Sequence, residues 1–318
     1  MRKIIFFILI FISIISCKEN NVNRIDVSNI DVNFKIKRFD IDFYSTTPNT
    51  LNKTKKEYPL LFPPEHDSVW INKINNKDEQ ELFNETQKVF GDFSEETKQI
   101  ENLCKHIKYY DKSFQSPNVI TMLTNIDYDN RVVYADSILL ISLDAYLGAK
   151  HPFYNDYPEY IRQNNHKNHL IVDVANAIIN KKVMPTAKRN FIDKMIFEGK
   201  KMYLLDLFLP GISDREKIGY SPEKYDWAKT NEEEVWKYFI EKDVLYSTDT
   251  KLNRRFLDLA PFSKFYSEDD SLSPGRIGVW IGWQIVRSYM RNNDVSLPEL
   301  LQKSEDEIFK NSKYKPKR

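Results

Sequence analysis

Cysteine is scarce in this sequence of 318 residues, which contains only Cys17 and Cys104. Two thiols allow at most one disulfide bond, and they allow none when one of them is modified. Cys104 lies in the segment ENLCKHIKYY, which has a helical pattern, and we identify no base nearby that would activate its thiol. We therefore expect Cys104 to be buried and unreactive.

Glycine is also scarce, and neither basic nor acidic residues are in excess. Eight glycines argue against flexible hinges, and no linker or internal repeat is visible, so the sequence predicts one domain. The 47 basic and 46 acidic residues nearly balance, which gives no electrostatic basis for binding nucleic acid. Neither GxSxG nor a glycine-rich phosphate loop occurs. We therefore expect no cofactor and no small-molecule substrate.

One apolar run is present, at the N-terminus, where Arg2 and Lys3 precede the apolar and serine residues 4–16. As a helix this run would span roughly 20 Å, which is too short to cross a bilayer comfortably. A basic flank and a short apolar core are typical of a secretory signal. The sequence IISC before the polar KENN resembles the cleavage site of a bacterial lipoprotein, with Cys17 as the lipidated residue. An uncleaved anchor is the alternative.

The chain then divides into a tether and a body. We predict a signal peptide over 1–16, a polar membrane-proximal tether over 17–32 and a single domain over 33–318. Lipid chains such as palmitate on Cys17 would hold the protein on a membrane, because each buried CH₂ contributes ~0.8 kcal/mol. Lys18 and Glu19 do not distinguish the inner from the outer membrane, and we expect the body to lie in the periplasm.

Hydrophobic periodicity predicts the secondary structure of the body. Alternation over 34–44 predicts a strand. The 3.6-residue pattern over 68–90 and 93–110 predicts two helices, the second with a capping box near Ser94. Short apolar runs between 117 and 147 predict strands, and from about residue 158 onward the pattern is helical. The expected fold is α+β, a predominantly helical single domain with a small β-sheet in its N-terminal half.

This order of elements suits a zincin, in which one helix carries the HExxH zinc ligands. The sequence contains no HExxH. The candidate helix follows His166-Lys-Asn-His169, in an asparagine-rich stretch that indicates a polar lead-in, so we expect surface or capping roles for both histidines. Glu198 stands where zincins often place a third ligand, and a metal site of His166, His169 and Glu198 is the alternative. Without a metal, we expect Glu198 and Asp173 to be paired or solvated.

A glycine- and tryptophan-rich segment, SPGRIGVWIGWQIVRSYM, predicts a helix that begins near Ser273 and Pro274. Its glycines leave one side almost without side chains, so that another backbone can approach closely there. The candidate residues for close packing or for a partner surface are Gly275, Arg276, Gly278, Trp280, Gly282 and Trp283. We favour internal packing, and we expect Arg276 and Arg287 to close salt bridges or to hold an acidic partner.

Several long phrases resemble the gliding motility lipoproteins of the GldB family of Bacteroidetes. They are KEYPLLFP (56–63), ADSILLISLDAYLG (135–148), YPEYIRQN (157–164), EKIGYSPEKYDWAKTNEEEVWKYFIEKDVLYSTD (216–249) and APFSKFYSEDDSLSPGRIGVWIGWQIVRSYM (260–290). With the signal peptide and the terminal NSKYKPKR, these phrases are spread along essentially the whole chain, so the resemblance runs from one end to the other. The resemblance implies a membrane-anchored envelope protein required for gliding, with other gliding lipoproteins and the associated secretion apparatus as neighbours. It implies no enzymatic activity.

Three functional hypotheses remain. The layout is distantly similar to a family of predicted zinc proteases, so the first hypothesis is a zincin-like scaffold that has lost its catalytic motif and serves as a non-catalytic adaptor. The second is a divergent zinc metallohydrolase that uses His166, His169 and Glu198. The third is a glycan-binding module, suggested by 18 tyrosines and 20 phenylalanines.

Overall fold

The computed structural model describes residues 25–186 and 188–317. Within them, one sheet contains the strands β1 (Ile36–Arg38), β2 (Asn118–Met122), β3 (Val132–Ala135) and β4 (Ile138–Ser142). The strands lie in the order β1-β2-β4-β3. The first two pairs are parallel, with Lys37 opposite Ile120 and Ile120 opposite Leu140, whereas β3 pairs antiparallel with β4.

The rest of the described chain is largely helical. The helices are α1 (Phe39–Tyr44), α2 (Leu51–Glu57), α3 (Asp67–Asn75), α4 (Lys77–Phe90), α5 (Ser94–Tyr110), α6 (Glu159–Arg162), α7 (Leu170–Lys182), α8 (Phe191–Phe208), α9 (Asp214–Ile218), α10 (Pro222–Thr230), α11 (Glu232–Glu241), α12 (Lys251–Phe256), α13 (Ile277–Asn292), α14 (Leu297–Gln302) and α15 (Glu305–Asn311). The predicted α+β fold, a single domain with a small sheet in its N-terminal half, is confirmed.

Helices α8 and α13 cross in the middle of the helical half, and the crossing depends on two glycines. A methyl group on Gly282 would overlap the carbonyl of Met195, and one on Gly199 would lie 2.8 Å from the backbone nitrogen of Trp283. Both helix backbones therefore approach more closely than any side chain would allow. Trp283, next to the crossing, is completely buried.

The strand predicted over 34–44 is wrong for most of its length. The strand ends at Arg38, and α1 begins at Phe39. Phe39 and Phe43 are four residues apart, so they share one helix face and are both buried, as is Asp40 between them. Asp40 accepts hydrogen bonds from Thr121 of β2 and from Arg38, which fixes the turn from strand to helix.

The helix predicted over 68–90 is divided in two. Asn76 has an extended backbone, and its side chain accepts hydrogen bonds from the N–H groups of Asp78 and Glu79, so it ends α3 and caps α4. The helix predicted over 93–110 is confirmed, but the expected capping box is not formed. Instead, the backbone N–H of Ser94 donates to Asp92, which precedes the helix.

The described part of the predicted tether, residues 25–32, lies against the body. Val27 is buried, and the ammonium of Lys108 donates to the carbonyl of Asp31 at 2.8 Å. The signal peptide and Cys17 fall outside the described residues. Within the described residues, no helix has the length and apolar character needed to cross a membrane.

Candidate functional site

His166 precedes and His169 ends a turn of 3₁₀-helix that leads into α7, which agrees with the lead-in predicted from the sequence. The predicted surface location is wrong for His169, whose side chain is only 6% exposed. Its Nδ1 lies 2.8 Å from Oε1 of Glu216 on α9, and Nε2 of His166 lies 3.6 Å from the same oxygen. The two imidazoles therefore converge on one carboxylate from a different helix.

Asp173 lies one turn after His169 on α7 and is the second carboxylate of this cluster. Its Oδ1 lies 3.7 Å from Nε2 of His169, and its Oδ2 accepts a hydrogen bond of 2.8 Å from the hydroxyl of Tyr146. The guanidinium of Arg131 lies 3.1 Å from Oδ2 as well. Asp173 is thus paired with a basic residue, as the sequence predicted for the case without a metal.

Arg131 connects the cluster to the hairpin of β3 and β4. Its guanidinium lies 4.4 Å from the ring centroid of Tyr128 and 5.6 Å from that of Tyr146, and it donates to the side-chain carbonyl of Asn165 at 3.3 Å. A planar guanidinium can stack on aromatic rings and pair with a carboxylate at the same time, which a lysine cannot do. The site therefore joins the sheet to α7 and α9. We refer to His166, His169, Asp173, Glu216, Arg131 and Tyr146 as the polar centre.

Burial and pairing shift the pKa values of several of these groups. Burial lowers the pKa of His166 below its ordinary value, and the neighbouring Glu216 opposes this only in part. Burial raises the pKa of Glu216, but the hydrogen bond and the charges of the two histidines outweigh it, so the net pKa is lowered. Burial also raises the pKa of the Tyr146 phenol far above its usual range. Tyr146 is consequently a neutral hydrogen-bond donor at physiological pH.

Glu198 does not join the histidines. It lies on α8, where its carboxylate is 2.8 Å from the ammonium of Lys201 at the i+3 position of the same helix. The ligand set His166, His169 and Glu198 is therefore not assembled. Across residues 25–186 and 188–317, no group of three or more His, Cys, Asp or Glu side chains is arranged to hold a metal.

The donors of the polar centre also fit a metal poorly. A divalent cation at Asp173 would meet the guanidinium of Arg131, which is permanently charged and 3.1 Å from that carboxylate. Both nitrogens of His169 already face carboxylates, at 2.8 Å and 3.7 Å. The arrangement is that of a buried network of hydrogen bonds and ion pairs, which fixes the relative positions of three elements.

The glycine- and tryptophan-rich helix packs internally, as the sequence favoured. Trp280 and Trp283 are buried, and their indole N–H groups donate to Glu232 and Asp206 at 3.1 Å and 2.9 Å. The helix begins at Ile277, later than predicted. Gly275 and Arg276 therefore precede it, and at Gly275 a methyl group would overlap the carbonyl of Ala260.

Arg287 forms the salt bridges expected of it. Its guanidinium donates twice to Asp206, at 2.7 Å each, and also contacts Asp214 at 2.6 Å and 2.8 Å. It stacks 3.9 Å above the ring of Trp283. The ammonium of Lys217 lies 3.0 Å from the completely buried Asp206. We refer to Arg287, Asp206, Asp214 and Lys217 as the α13 ion cluster.

Helix α9 belongs to both clusters although it has only five residues. It carries Asp214 and Lys217, which enter the α13 ion cluster, and Glu216, which enters the polar centre. Ser213 caps it by accepting from the N–H of Glu216, and Gly219 ends it with a left-handed backbone of φ 72°. α9 therefore connects α7 and α13.

Several residues of these clusters escaped the sequence analysis. They are Arg131, Tyr146, Asp206, Asp214, Glu216 and Lys217. One available signal was the isolated charge of Asp206 in the apolar run YLLDLFL, because such a charge needs a buried partner. Cys104 behaves as predicted: it is buried, and burial raises its pKa to about 11.

These features define the class of the protein: an α+β protein whose helical half is organised by buried ion pairs and by a glycine-mediated helix crossing. Residues 20–316 match the family model of the gliding motility protein GldB, so the chain belongs to that family. The resemblance described from the sequence is confirmed, and gliding motility is the process with which the family is associated. Comparisons with curated proteins and with solved structures gave no match.

Proposed function

We propose that this protein is a lipid-anchored component of the gliding machinery in the cell envelope, and that it acts by binding other envelope proteins rather than by catalysis. The observation that carries the proposal is the match to the GldB family over residues 20–316. Cys17 is the proposed attachment site, on the strength of the lipoprotein-like signal before it. The body would lie in the periplasm beside the membrane.

The polar centre supports a structural role rather than a catalytic one. A catalytic acid or base must reach substrate, whereas His169 and Asp173 are engaged with Glu216, Tyr146 and Arg131. The guanidinium beside Asp173 also repels the cation that a zinc hydrolase would need. The polar centre instead holds α7, α9 and the hairpin in one arrangement, as a docking scaffold requires.

The anchor is tested by Cys17→Ala in a gliding strain, with Cys104→Ala as the matched control. We expect Cys17→Ala to abolish labelling by radioactive palmitate and to abolish gliding, because the protein loses its lipid anchor. Cys104→Ala keeps both. Normal gliding and labelling in Cys17→Ala would contradict the proposal.

The absence of catalysis is tested by His169→Gln and Glu198→Gln. Glutamine keeps a donor toward Glu216 but is a poor zinc ligand, so the fold is retained while any metal site is lost. We expect normal gliding in both variants and only traces of zinc in the purified wild type by elemental analysis. Near-stoichiometric zinc that disappears in His169→Gln would establish the metallohydrolase instead.

A further inference from the structure

A cleft of about 490 Å³ opens at the N-terminal end of α13, and no side chain of the polar centre lines it. Its walls come from residues 158–163 around α6, residues 218–224 from the end of α9 to the first turn of α10, residues 259–261, and residues 274–276 directly before α13. This volume is within the range of clefts that bind small ligands or chain ends. Four segments that are distant in sequence thus meet around one space.

Hydrogen bonds connect the walls of the cleft. Tyr220 is buried, and its hydroxyl donates to the carbonyl of Gly275 at 2.8 Å. The side-chain amides of Gln163 and Asn164 donate to the carbonyl of Gly219 at 3.0 Å and 3.2 Å, which joins the segment around α6 to the segment after α9. Tyr160 adds an aromatic ring to the lining. A cleft held in this way is formed before any ligand arrives.

Arg276 lines this cleft, and it differs from Arg131 of the polar centre and from Arg287 of the α13 ion cluster. Its backbone is left-handed, with φ 59°, a conformation that costs energy in any residue with a Cβ. Arg131 and Arg287 are each paired with carboxylates. The side chain of Arg276 is half-buried, yet within the described residues it has neither an ion pair nor a hydrogen bond. The fold thus holds an unpaired guanidinium at the cleft in a strained backbone.

The other charges of the cleft limit the chemistry of its ligand. Lys224 is already used, because its ammonium donates to the carbonyls of Ser271 and Ser273 at 2.5 Å and 2.7 Å. Glu159 and Glu223 are exposed members of the lining and would repel a ligand with several negative charges. One guanidinium fits one carboxylate in a two-point contact, and the tyrosines and Pro261 fit an apolar group.

We propose that this cleft binds a ligand that carries a single carboxylate on an apolar body. The carboxylate pairs with Arg276, and the apolar body packs against Tyr160, Tyr220 and Pro261. The carboxyl terminus of a peptide and a small organic acid share this chemistry. The proposal does not depend on the role of the protein in gliding, because it rests on the cleft and its charges alone.

Binding is tested by calorimetric titration of the purified full-length protein in lipid nanodiscs. The probes are N-acetyl-phenylalanine, its uncharged amide, hexanoate, and a hexapeptide that ends in phenylalanine with a free carboxyl group. We expect saturable binding of the acids and at least tenfold weaker binding of the amide. If the hexapeptide binds more tightly than N-acetyl-phenylalanine, the ligand is the carboxyl terminus of a peptide. If the two bind equally, the ligand is a small organic acid. Equal binding of acid and amide, or no saturable binding of any acid, overturns the proposal.

Variants separate ligand binding from stability. Arg276→Gln should weaken acid binding at least tenfold, whereas the exposed Arg254→Gln should leave it unchanged. Arg276→Gly should abolish acid binding and raise the melting temperature, because glycine relieves the left-handed backbone. A purely structural arginine would give a lower melting temperature in Arg276→Gly. That result, or unchanged acid binding in Arg276→Gln, overturns the proposal.

Discussion

Oε1 of Glu216 lies 2.8 Å from Nδ1 of His169, although the two residues are 47 positions apart in the chain. His166 approaches the same oxygen at 3.6 Å, so one carboxylate of α9 holds both histidines that the sequence offered as metal ligands. The pair of histidines is therefore explained by a carboxylate partner. This relationship also makes the stability of the fold sensitive to pH.

Acidification should destabilise the protein from about pH 6.5 downward, partly through His166. Burial lowers the pKa of His166 below its unfolded value of 6.5, so the unfolded chain binds the proton more readily than the folded one. The stability that depends on neutral His166 is complete above pH 6.5 and is lost as the pH falls through the folded pKa. His166→Gln should therefore show a smaller decrease in melting temperature between pH 7.5 and pH 5.5 than the wild type. An equal decrease in both proteins would show that His166 does not contribute.

A second acid-sensitive contribution should come from Glu216. Its folded pKa lies below 4.5, so the stability that it contributes is present above pH 4.5 and is lost at lower pH. Glu216→Gln should be less stable than the wild type at pH 7, and the difference should shrink as the pH falls below 4.5. Urea unfolding at a series of pH values measures both effects. A difference that stays constant down to pH 3 would contradict this assignment.

Removal of the Arg287 guanidinium should be strongly destabilising. Asp206 is completely buried, and Arg287→Met leaves it with Lys217 and Trp283 as partners. Breaking a buried ion pair from one side typically costs about 3–5 kcal/mol. Urea unfolding should show this loss, whereas Lys237→Met, in an exposed pair with Glu234, should show almost none. Similar losses in the two variants would mean that burial of the ion cluster is unimportant.

Gly282→Ala should destabilise the crossing of α8 and α13. The new methyl group would overlap the carbonyl of Met195, so the helices must separate, at a cost of about 1–3 kcal/mol or more. Gly211→Ala is the matched control, because nothing lies within 4 Å of the added atom there. Thermal unfolding should show a lower melting temperature for Gly282→Ala and little change for Gly211→Ala. Equal melting temperatures would indicate that the crossing has room for a side chain.

Cys104 should resist thiol reagents in the folded protein. Burial raises its pKa to about 11, so almost no thiolate is present at pH 8, and the sulfur is shielded from the reagent as well. We expect reaction with Ellman's reagent only after urea unfolds the chain. Rapid reaction in buffer would show that α5 opens locally.

The sequence was sufficient where a periodic pattern matched one structure. The short apolar run ILLIS correctly predicted strand β4. The 3.6-residue pattern of SEETKQIENLCKHIKYY correctly predicted helix α5. Phe39, Ile41 and Phe43 alternate as in a strand, but Phe39 and Phe43 also share a helix face, so the pattern alone fits both structures. Tertiary contacts of Asp40 decide the outcome there.

The candidate site was less accessible to sequence reasoning. The position of Asp173 in an apolar helix face predicts a basic partner. Nothing in the sequence indicates that this partner is Arg131 rather than another basic residue. The convergence of Glu216 on His169 likewise depends on how α9 packs against α7. Buried ion pairs between distant elements are properties of the fold, and one sequence lists only the charges from which they are chosen.

Helix α9 should exchange its amide hydrogens as slowly as the core. A helix of five residues does not persist alone in water, and a short element of this kind normally frays within microseconds. Here Asp214 is paired with α13, Glu216 with His169 directly before α7, and Lys217 with α8, so α9 cannot open without exposing charges at all three places. The amides of α9 therefore exchange only when the protein unfolds globally. Their exchange rate would measure the free energy of unfolding of the whole helical half.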